Sequence, residues 1–249
     1  MVKCGYLKAR NRARMKILAF DTSNQTLAAA ILEDDQTIAS FQLNQKMNHS
    51  LTLMPAIEHI MKISSLTPKD LDRIVVAQGP GSYTGIRIAV TTAKTLADTL
   101  KIELVGISSL KGLAANVSDQ RLIVPIMDAR RNNVYAGVYR WEDQQLKMVI
   151  PDQHIPLAEL LDLLQEDAVF VGETAKFTEM IRDKLPNAKI ETDDRINLPN
   201  GVTLGQLGYL EAPVADIQSF VPAYLKRVEA EEKWLQTHQP GDENYVEKI

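Results

Sequence analysis

The sequence is poor in cysteine and in aromatic residues: Cys4 is its single cysteine among 249 residues, and aromatic residues make up 6%. One cysteine cannot form a disulfide within the chain, and it excludes a zinc site built on several cysteines. No apolar run approaches the roughly 18–20 residues that a membrane-spanning helix needs. The run 17–20 that follows the basic start is also too short for a signal peptide. We therefore expect a cytoplasmic protein with no membrane partner.

Basic residues are concentrated at the start of the chain, and the rest of the chain is acidic. The whole sequence has 28 basic and 32 acidic residues, a net charge of −4. Residues 1–14 hold five of the basic residues and no acid, so the remainder carries 23 basic against 32 acidic residues, a net −9. An acidic body does not attract phosphate backbones by bulk charge. If nucleic acid matters, we expect a local patch or a partner to hold it.

The order of predicted elements occurs twice. Three short strands between residues 16 and 43 precede a helix over 50–63, a strand over 73–77, a helix over 84–100 and a strand over 103–107. A shift of 107 places Ile17–Asp21 on Val124–Asp128, and the same order begins again. Strands that alternate with helices indicate α/β layers. The fold class that we predict is α/β, with two lobes that each contain a mixed sheet of βββαβα order.

Four segments follow from this repeat. We predict a basic extension over 1–14, a first lobe over 15–112, a second lobe over 113–236 and a polar tail over 237–249. The second lobe ends in two candidate helices, Val202–Leu210 and Tyr224–Trp234, and the last helix is free to return to the first lobe. The first lobe is the one that we expect to bind a partner.

A glycine-rich turn is the strongest local motif. It contains Gly79, Gly81, Ser82, Thr84 and Gly85, after a predicted strand and before a predicted helix. Free N–H groups at a helix start favour an anion. The spacing GxGxxxG nevertheless differs from the dinucleotide fingerprint, and no Walker A lysine follows. The motif fits either an anion site or a tight strand–helix connection.

A second motif, Asp21-Thr22-Ser23, ends the first strand, and Asp128 is its counterpart in the second half. A carboxylate beside hydroxyl groups can hold a metal–phosphate or a substrate hydroxyl. The alternative is a turn closed by the aspartate side chain, which is the commoner role of an isolated motif of this kind. The four histidines form no HxxxH pair and no GxSxG elbow is present, so the sequence predicts no catalytic residue and no metal ligand.

Apolar residues cover a broad arc of the two helices of the first lobe. Burial in the core is the default explanation. Small alanines would also let a partner's helices approach closely as a four-helix contact. We predict that contact, with Ala93→Glu or Ala97→Glu abolishing pairing while the fold stays intact. The predicted interface comprises Leu51, Met54, Ile57, Met61, Ile86, Val90, Ala93, Ala97 and Leu100.

Four stretches resemble the TsaB (YeaZ) family, a glycoprotease-like branch of the actin/Hsp70/sugar-kinase superfamily. They are 15–23 (MKILAFDTS), His49-Ser50, 79–88 (GPGSYTGIRI) and 222–226 (PAYLK), and their order covers nearly all of residues 15–235. The 79–88 stretch is specific to the family, whereas Asp-Thr-Ser alone is weak. The resemblance implies two actin-like lobes in a bacterial cytosolic protein.

The resemblance also implies a function. Members are regarded as non-catalytic scaffolds that pair with the metal-bearing paralogue TsaD. TsaD transfers threonylcarbamoyl to the adenosine next to the tRNA anticodon. The ATPase TsaE joins the same assembly. A homodimer forms when TsaD is absent, and tRNA is bound only through the complex. TsaD-like proteins carry an HxxxH metal pair, but here Leu53 stands four positions after His49, so the second histidine is missing. The superfamily also has paired glycines in its adenosine loop, whereas here Gly172 is followed by Glu173.

The motifs at 21–23, 79–85 and Asp128 therefore look like inherited phosphate elements that lack their second half. No cofactor is expected, and residual ATP or ADP binding, at the partner interface or between the lobes, is left open. One alternative is an active sugar-kinase-like enzyme with Asp21 and Asp128 around Mg–ATP. A weaker alternative is a peptidase, for which no nucleophile is found.

Overall fold

The computed structural model describes residues 14–45 and 48–226, and within them each half of the chain builds a five-stranded mixed sheet. The predicted basic extension up to residue 13, the polar tail and the predicted helix 224–234 beyond Lys226 lie outside the described residues. The predicted α/β fold with two actin-like lobes of βββαβα order is confirmed.

The first half forms a sheet of order β3-β2-β1-β4-β5, with β2 antiparallel to β1 and β3, and β4 parallel to β1 and β5. Its elements are β1 (Lys16–Asp21), β2 (Thr26–Glu33), β3 (Gln36–Asn44), α1 (His49–Ile63), a 3₁₀ turn (Pro68–Asp70), β4 (Arg73–Gly79), α2 (Tyr83–Leu100) and β5 (Glu103–Ser108). The central strands are buried on both faces, whereas the edge strand β3 alternates between exposed and half-buried positions.

The second half repeats this topology in the order β10-β9-β6-β7-β8. Its elements, with the helices on either side, are α3 (Ser109–Ala114), β6 (Leu122–Asp128), β7 (Asn133–Glu142), β8 (Gln145–Pro156), α4 (Leu157–Leu163), β9 (Ala168–Gly172), a 3₁₀ turn (Ala175–Phe177), α5 (Thr178–Lys184), β10 (Lys189–Ile190), α6 (Asp194–Asn197) and α7 (Gly201–Leu210). Asp21 pairs with Ala28 but Asp128 pairs with Val134, so the second hairpin loop is one residue shorter than the offset of 107 predicts.

Side-chain caps define where the two helices of the first half begin. The Asn48 side chain accepts a hydrogen bond from the backbone N of Ser50 at the start of α1. Ser82 caps α2 by accepting from the backbone N of Gly85. Pro55 lies inside α1, after its first turn. Caps of this kind satisfy N–H groups that have no partner within the helix.

Each sheet is covered on one face by a helix that follows the strands of the other sheet in the chain. Helix α3 follows the first sheet in sequence, yet Leu110 and Leu113 belong to the core of the second sheet with Ile123 and Val171. Helix α7 follows the second sheet, yet Leu204 belongs to the core of the first sheet. The boundary at 112/113 stays a prediction. Helix α3, at this boundary, packs on the second sheet, and α7, which lies beyond it, packs on the first sheet.

No helix in residues 14–45 and 48–226 combines the length and the apolar character needed to cross a membrane.

Candidate functional site

The two predicted phosphate-binding motifs of the first half pack directly against each other. The Thr22 hydroxyl donates a hydrogen bond of 2.8 Å to the backbone O of Gly85, and the backbone N of Ser82 donates one of 2.6 Å to the backbone O of Ser23. A Cβ at Gly85 would lie 2.0 Å from the Thr22 carbonyl oxygen, and one at Gly81 2.2 Å from that of Ser23. The glycines therefore allow close backbone approach between the two loops, in agreement with the tight-connection alternative.

Asp21 closes its own loop. Its carboxylate accepts a hydrogen bond of 2.6 Å from the backbone N of Ser23, the aspartate turn that the sequence offered as the alternative to a metal–phosphate site. Burial raises the pKa of the Asp21 carboxyl, although the hydrogen bond from Ser23 opposes that effect. In the second half, Asp128 forms the same kind of turn with the backbone N of Arg130 at 2.8 Å.

A cleft of about 940 Å³ lies between the two halves at the ends of β1 and β6. Its walls include Ser23, Thr84, Asp128 and Arg130 from the predicted motifs and their surroundings, but not Asp21. Asp128 forms a 3.0 Å salt bridge with Lys176, and its backbone N donates a hydrogen bond to the Glu173 carboxylate. The structure thus brings Asp128 and the glycine loop to one cleft, while Asp21 faces its own turn.

Two buried polar atoms beside this cleft have no hydrogen-bond partner among the described residues: the Ser23 Oγ and the His49 Nδ1. The His49 Nε2 lies 2.8 Å from the Asn24 carbonyl oxygen, so it carries the proton when the ring is neutral. The Ser23 side chain is fully buried, which leaves its hydroxyl inaccessible to a peptide substrate. In the described part of the chain, no group of three or more His, Cys, Asp or Glu side chains is arranged to hold a metal ion.

The reasoning from sequence missed an aromatic pair at the mouth of the cleft. Tyr83 and Tyr224 stack with ring centroids 5.0 Å apart, and both are exposed. The Arg87 guanidinium lies over the Tyr83 ring and donates to its hydroxyl at 3.1 Å. The family resemblance already contained both tyrosines, in the 79–88 and 222–226 stretches, but no local pattern shows that they meet.

The structure corrects six of the nine predicted interface positions. Helices α1 and α2 lie side by side on the first sheet, and their apolar stripes face that sheet. The positions that are buried within the chain's own core are Ile57, Met61, Ile86, Val90, Ala93 and Ala97. Apolar residues at this helical spacing fit either a protein core or a partner's surface, and here they pack in the chain's own core. Ala93 and Ala97 are 0% exposed, so glutamate at either position would disrupt the fold rather than test pairing alone.

The other three predicted positions have accessible side chains. Leu51 is 72% exposed and Met54 47% exposed, on the outer side of α1, and Leu100 is half-buried at the end of α2. Ile63, which the sequence reasoning left out, is 61% exposed on the same helix. Leu51 and Met54, three positions apart on one side of the helix, form what we term the α1 outer face, whereas Ile63, nine positions after Met54, projects from the other side. Exposed large apolar side chains grouped in this way mark interaction surfaces.

These observations define a class of protein first: a two-lobed α/β protein of the actin-like kind, whose cleft loops bind each other. The comparisons with known proteins then identify the family. The model of the TsaD family, described as tRNA N6-adenosine threonylcarbamoyltransferase, matches residues 36–234. The tRNA threonylcarbamoyladenosine biosynthesis protein TsaB of Bacillus subtilis is 43% identical over 230 residues, 90% of this chain and 100% of that protein. The chain belongs to the TsaB family.

More distant proteins agree with this assignment. The protein of the same name from Haemophilus influenzae is 27% identical over 85% of this chain and 94% of its own. The solved structure titled YeaZ from Pseudomonas aeruginosa superposes with a TM-score of 0.71 at 22% identity, over 85% of this chain and 100% of that one. At this identity the structural likeness supports the fold alone.

Proposed function

We propose that this chain is a non-catalytic scaffold in the biosynthesis of tRNA threonylcarbamoyladenosine, and that it acts by pairing with TsaD. The observation that carries the proposal is the 43% identity to a TsaB over that protein's whole length. In this proposal the chain works in the cytoplasm, TsaE joins the pair, the chain self-associates when TsaD is absent, and tRNA is bound only by the complex.

The arrangement of the cleft loops supports a scaffold rather than a phosphotransferase. The Asp21 carboxylate, the Thr22 hydroxyl and the Ser82 N–H are the groups that a nucleotide site would use. All three are engaged in hydrogen bonds between the two loops or within one of them. Binding a phosphate there would require these contacts to break.

The α1 outer face supports pairing through the first lobe. Leu51 and Met54 present apolar surface to solvent near the start of α1, close to the cleft. Association with a partner helix would remove this surface from water, which favours binding by about 25 cal/mol per Å² before the costs of association are counted. The corrected surface replaces the buried positions of the original prediction.

Reconstitution tests the proposal. Purified TsaD, TsaE and unmodified tRNA from the same organism are supplied with threonylcarbamoyl adenylate and ATP and assayed with and without this chain, and the modified nucleoside is quantified by mass spectrometry. We expect product only when the chain is present, and equal product without it would overturn the scaffold role. Calorimetry with Mg–ATP on the isolated chain is the companion measurement, because sub-millimolar binding with turnover would favour the sugar-kinase-like alternative.

A matched pair of variants tests the surface. Leu51→Glu is expected to weaken co-purification with TsaD by about tenfold or more, in the range of interface hot spots. Leu163→Glu, at a 50% exposed position of α4 in the second half, is the control and should leave pairing unchanged. Circular dichroism should show both variants folded. Equal retention of TsaD by both variants would exclude the α1 outer face.

A further inference from the structure

A groove with an apolar floor lies on the first half, at the end of the sheet opposite the cleft. Its volume is about 730 Å³, and it runs between the start of β1, the end of α2 and the segment that follows α7. The apolar residues that line it are Met15, Ile102, Leu104, Pro213, Val214 and Ile217. Ile102, Val214 and Ile217 also pack against the core of the first sheet, so the floor is well supported.

The rim of this groove is acidic. Its lining includes Asp72, Asp98, Glu103 and Asp216 against one basic residue, Lys101. Asp98 pairs with Lys101 and Glu103 pairs with Arg73. Asp72 and Asp216 form no salt bridge in the described part of the chain. The groove therefore has negative charge in excess and is suited to a basic ligand.

The chain itself supplies a segment of the opposite charge next to the groove. Residues 1–13 contain four basic residues, no acid, and the apolar residues Met1, Val2, Tyr6 and Leu7. The described chain begins at Arg14, and Met15 already lines the groove. Thirteen residues span at most about 45 Å, so every part of the groove is within reach of the segment. A tether of this length also raises the effective concentration of the segment at the groove.

We propose that residues 1–13 bind in this groove as an intramolecular ligand, with basic side chains at the acidic rim and apolar side chains on the floor. Charge complementarity and the position of Arg14 beside the groove support this assignment, which is independent of the proposed role in tRNA modification. The occupant is the chain's own segment, and binding of a second copy's segment is the alternative that the experiment distinguishes.

Cys4 makes the proposal testable, because it is the single cysteine of the chain and lies within the segment. In the full chain, Ala215→Cys introduces a second thiol at an exposed position of the groove. Gln36→Cys is the matched control: it is exposed, lies outside the groove, and is two residues from Asp34, whose backbone N bonds the Met15 carbonyl oxygen. Cys4 lies ten positions before Arg14, a span of up to about 35 Å, so an unbound segment would reach both introduced thiols, which lie on either side of the start of β1.

We expect the intramolecular disulfide of Ala215→Cys to form at least about tenfold faster than that of Gln36→Cys at low salt. The ratio should fall towards one at about 1 M salt, where charges are screened over about 3 Å. Adding Asp98→Asn and Asp216→Asn to the groove variant should slow the reaction, whereas adding Asp183→Asn, on α5, should not.

Three results would overturn the proposal. Equal rates for the two cysteine variants at low salt would show that the segment has no preference for the groove. A disulfide-linked dimer as the main product would assign the groove to a second copy. A rate unaffected by Asp98→Asn and Asp216→Asn would remove the electrostatic basis. Circular dichroism of each variant confirms that the fold is retained, so that no result is explained by unfolding.

Discussion

At the scale of single residues, the glycine-rich motif brings two loops together. Gly85 and Gly81 stand where a Cβ would collide with the backbone oxygens of Thr22 and Ser23. The Ser82 N–H and the Thr22 hydroxyl, which would otherwise be free to bind an anion, instead bond the neighbouring loop. The motif therefore contributes to the packing of β1 against α2, and its glycines are explained without a ligand.

Gly85→Ala is predicted to destabilise the chain by about 2 kcal/mol or more. The added methyl group would lie 2.0 Å from the Thr22 carbonyl oxygen, so backbone must move, and overpacking of this kind costs about 1–3 kcal/mol. Gly112→Ala in α3 is the control, because its nearest neighbour would be 3.7 Å away and alanine favours the helix. Urea denaturation measures both free energies of unfolding. Equal values would contradict the steric argument.

Asp152 is the residue from which we derive a dependence of stability on pH. Its carboxylate accepts hydrogen bonds from the hydroxyls of Tyr139 and of Ser108, which caps α3 between the two sheets. Burial raises the pKa of the Asp152 carboxyl above its ordinary value of 3.8, while these hydrogen bonds oppose the shift. The folded chain therefore holds the proton more tightly than the unfolded chain.

The stability from this linkage is complete below pH 3.8 and is lost as the pH rises through the raised pKa. Asp152→Asn removes the titration. The free energy of unfolding of this variant, relative to the unsubstituted chain, should therefore improve as the pH rises above 3.8 and level off once the pH passes the raised pKa. Urea denaturation at several pH values measures the difference. A difference that stays constant with pH would show that Asp152 does not titrate in this way.

At the scale of elements, one buried side chain binds the C-terminal end of α7 to the first sheet. The Arg73 guanidinium on β4 donates to the carbonyl oxygens of Gly208, Tyr209 and Glu211 at the end of the helix, and also binds the Glu103 carboxylate. These carbonyls have no partner within the helix, and a cation suits the negative end of the helix dipole. Arg73 therefore joins the last described helix to the first half of the chain.

Arg73→Met should cost about 3 kcal/mol, because it leaves buried carbonyl groups without donors. Hydrogen exchange in α7 should increase more than in α4, which does not contact Arg73. Arg121→Met is the control: its partner Asp119 is two residues away near the surface, and such pairs contribute about 0–1 kcal/mol. Urea denaturation measures the free energy of unfolding of both variants, and hydrogen exchange measures the protection of α7 and α4. A loss of stability spread evenly over both helices would contradict a specific anchor.

Local elements could be predicted from the sequence, whereas their partners could not. Alternation and helical spacing located β1 to β7 and α1 and α2 to within a few residues, because these patterns depend on neighbours along the chain. The same periodicity identified the apolar stripe of α2 without showing that it faces β4 rather than another protein. The contact of Tyr83 with Tyr224 depends on 140 intervening residues, and no short pattern encodes it.

At the scale of the whole molecule, the two halves exchange helices. Without α7, one face of the first sheet would expose buried residues of β1, β4 and β5, among them Ile17, Val75 and Val105. The approach is close, since a Cβ at Gly208 would lie 2.4 Å from the Val75 side chain. The sequence repeat suggests two separable lobes, but the packing of α7 makes the first lobe incomplete on its own.

Expression of residues 15–112 alone therefore tests how the molecule is assembled. We expect this fragment to aggregate or to unfold without a cooperative transition, because a large apolar face of its sheet has lost its cover. Residues 15–226, which restore α7 and the segment after it, should give one cooperative transition followed by circular dichroism. Adding a peptide of residues 198–226 to the fragment should rescue solubility if the missing cover is the cause. A fragment that is soluble and cooperative without the peptide would mean that the first sheet is stable without α7, and the two lobes would then be independent domains.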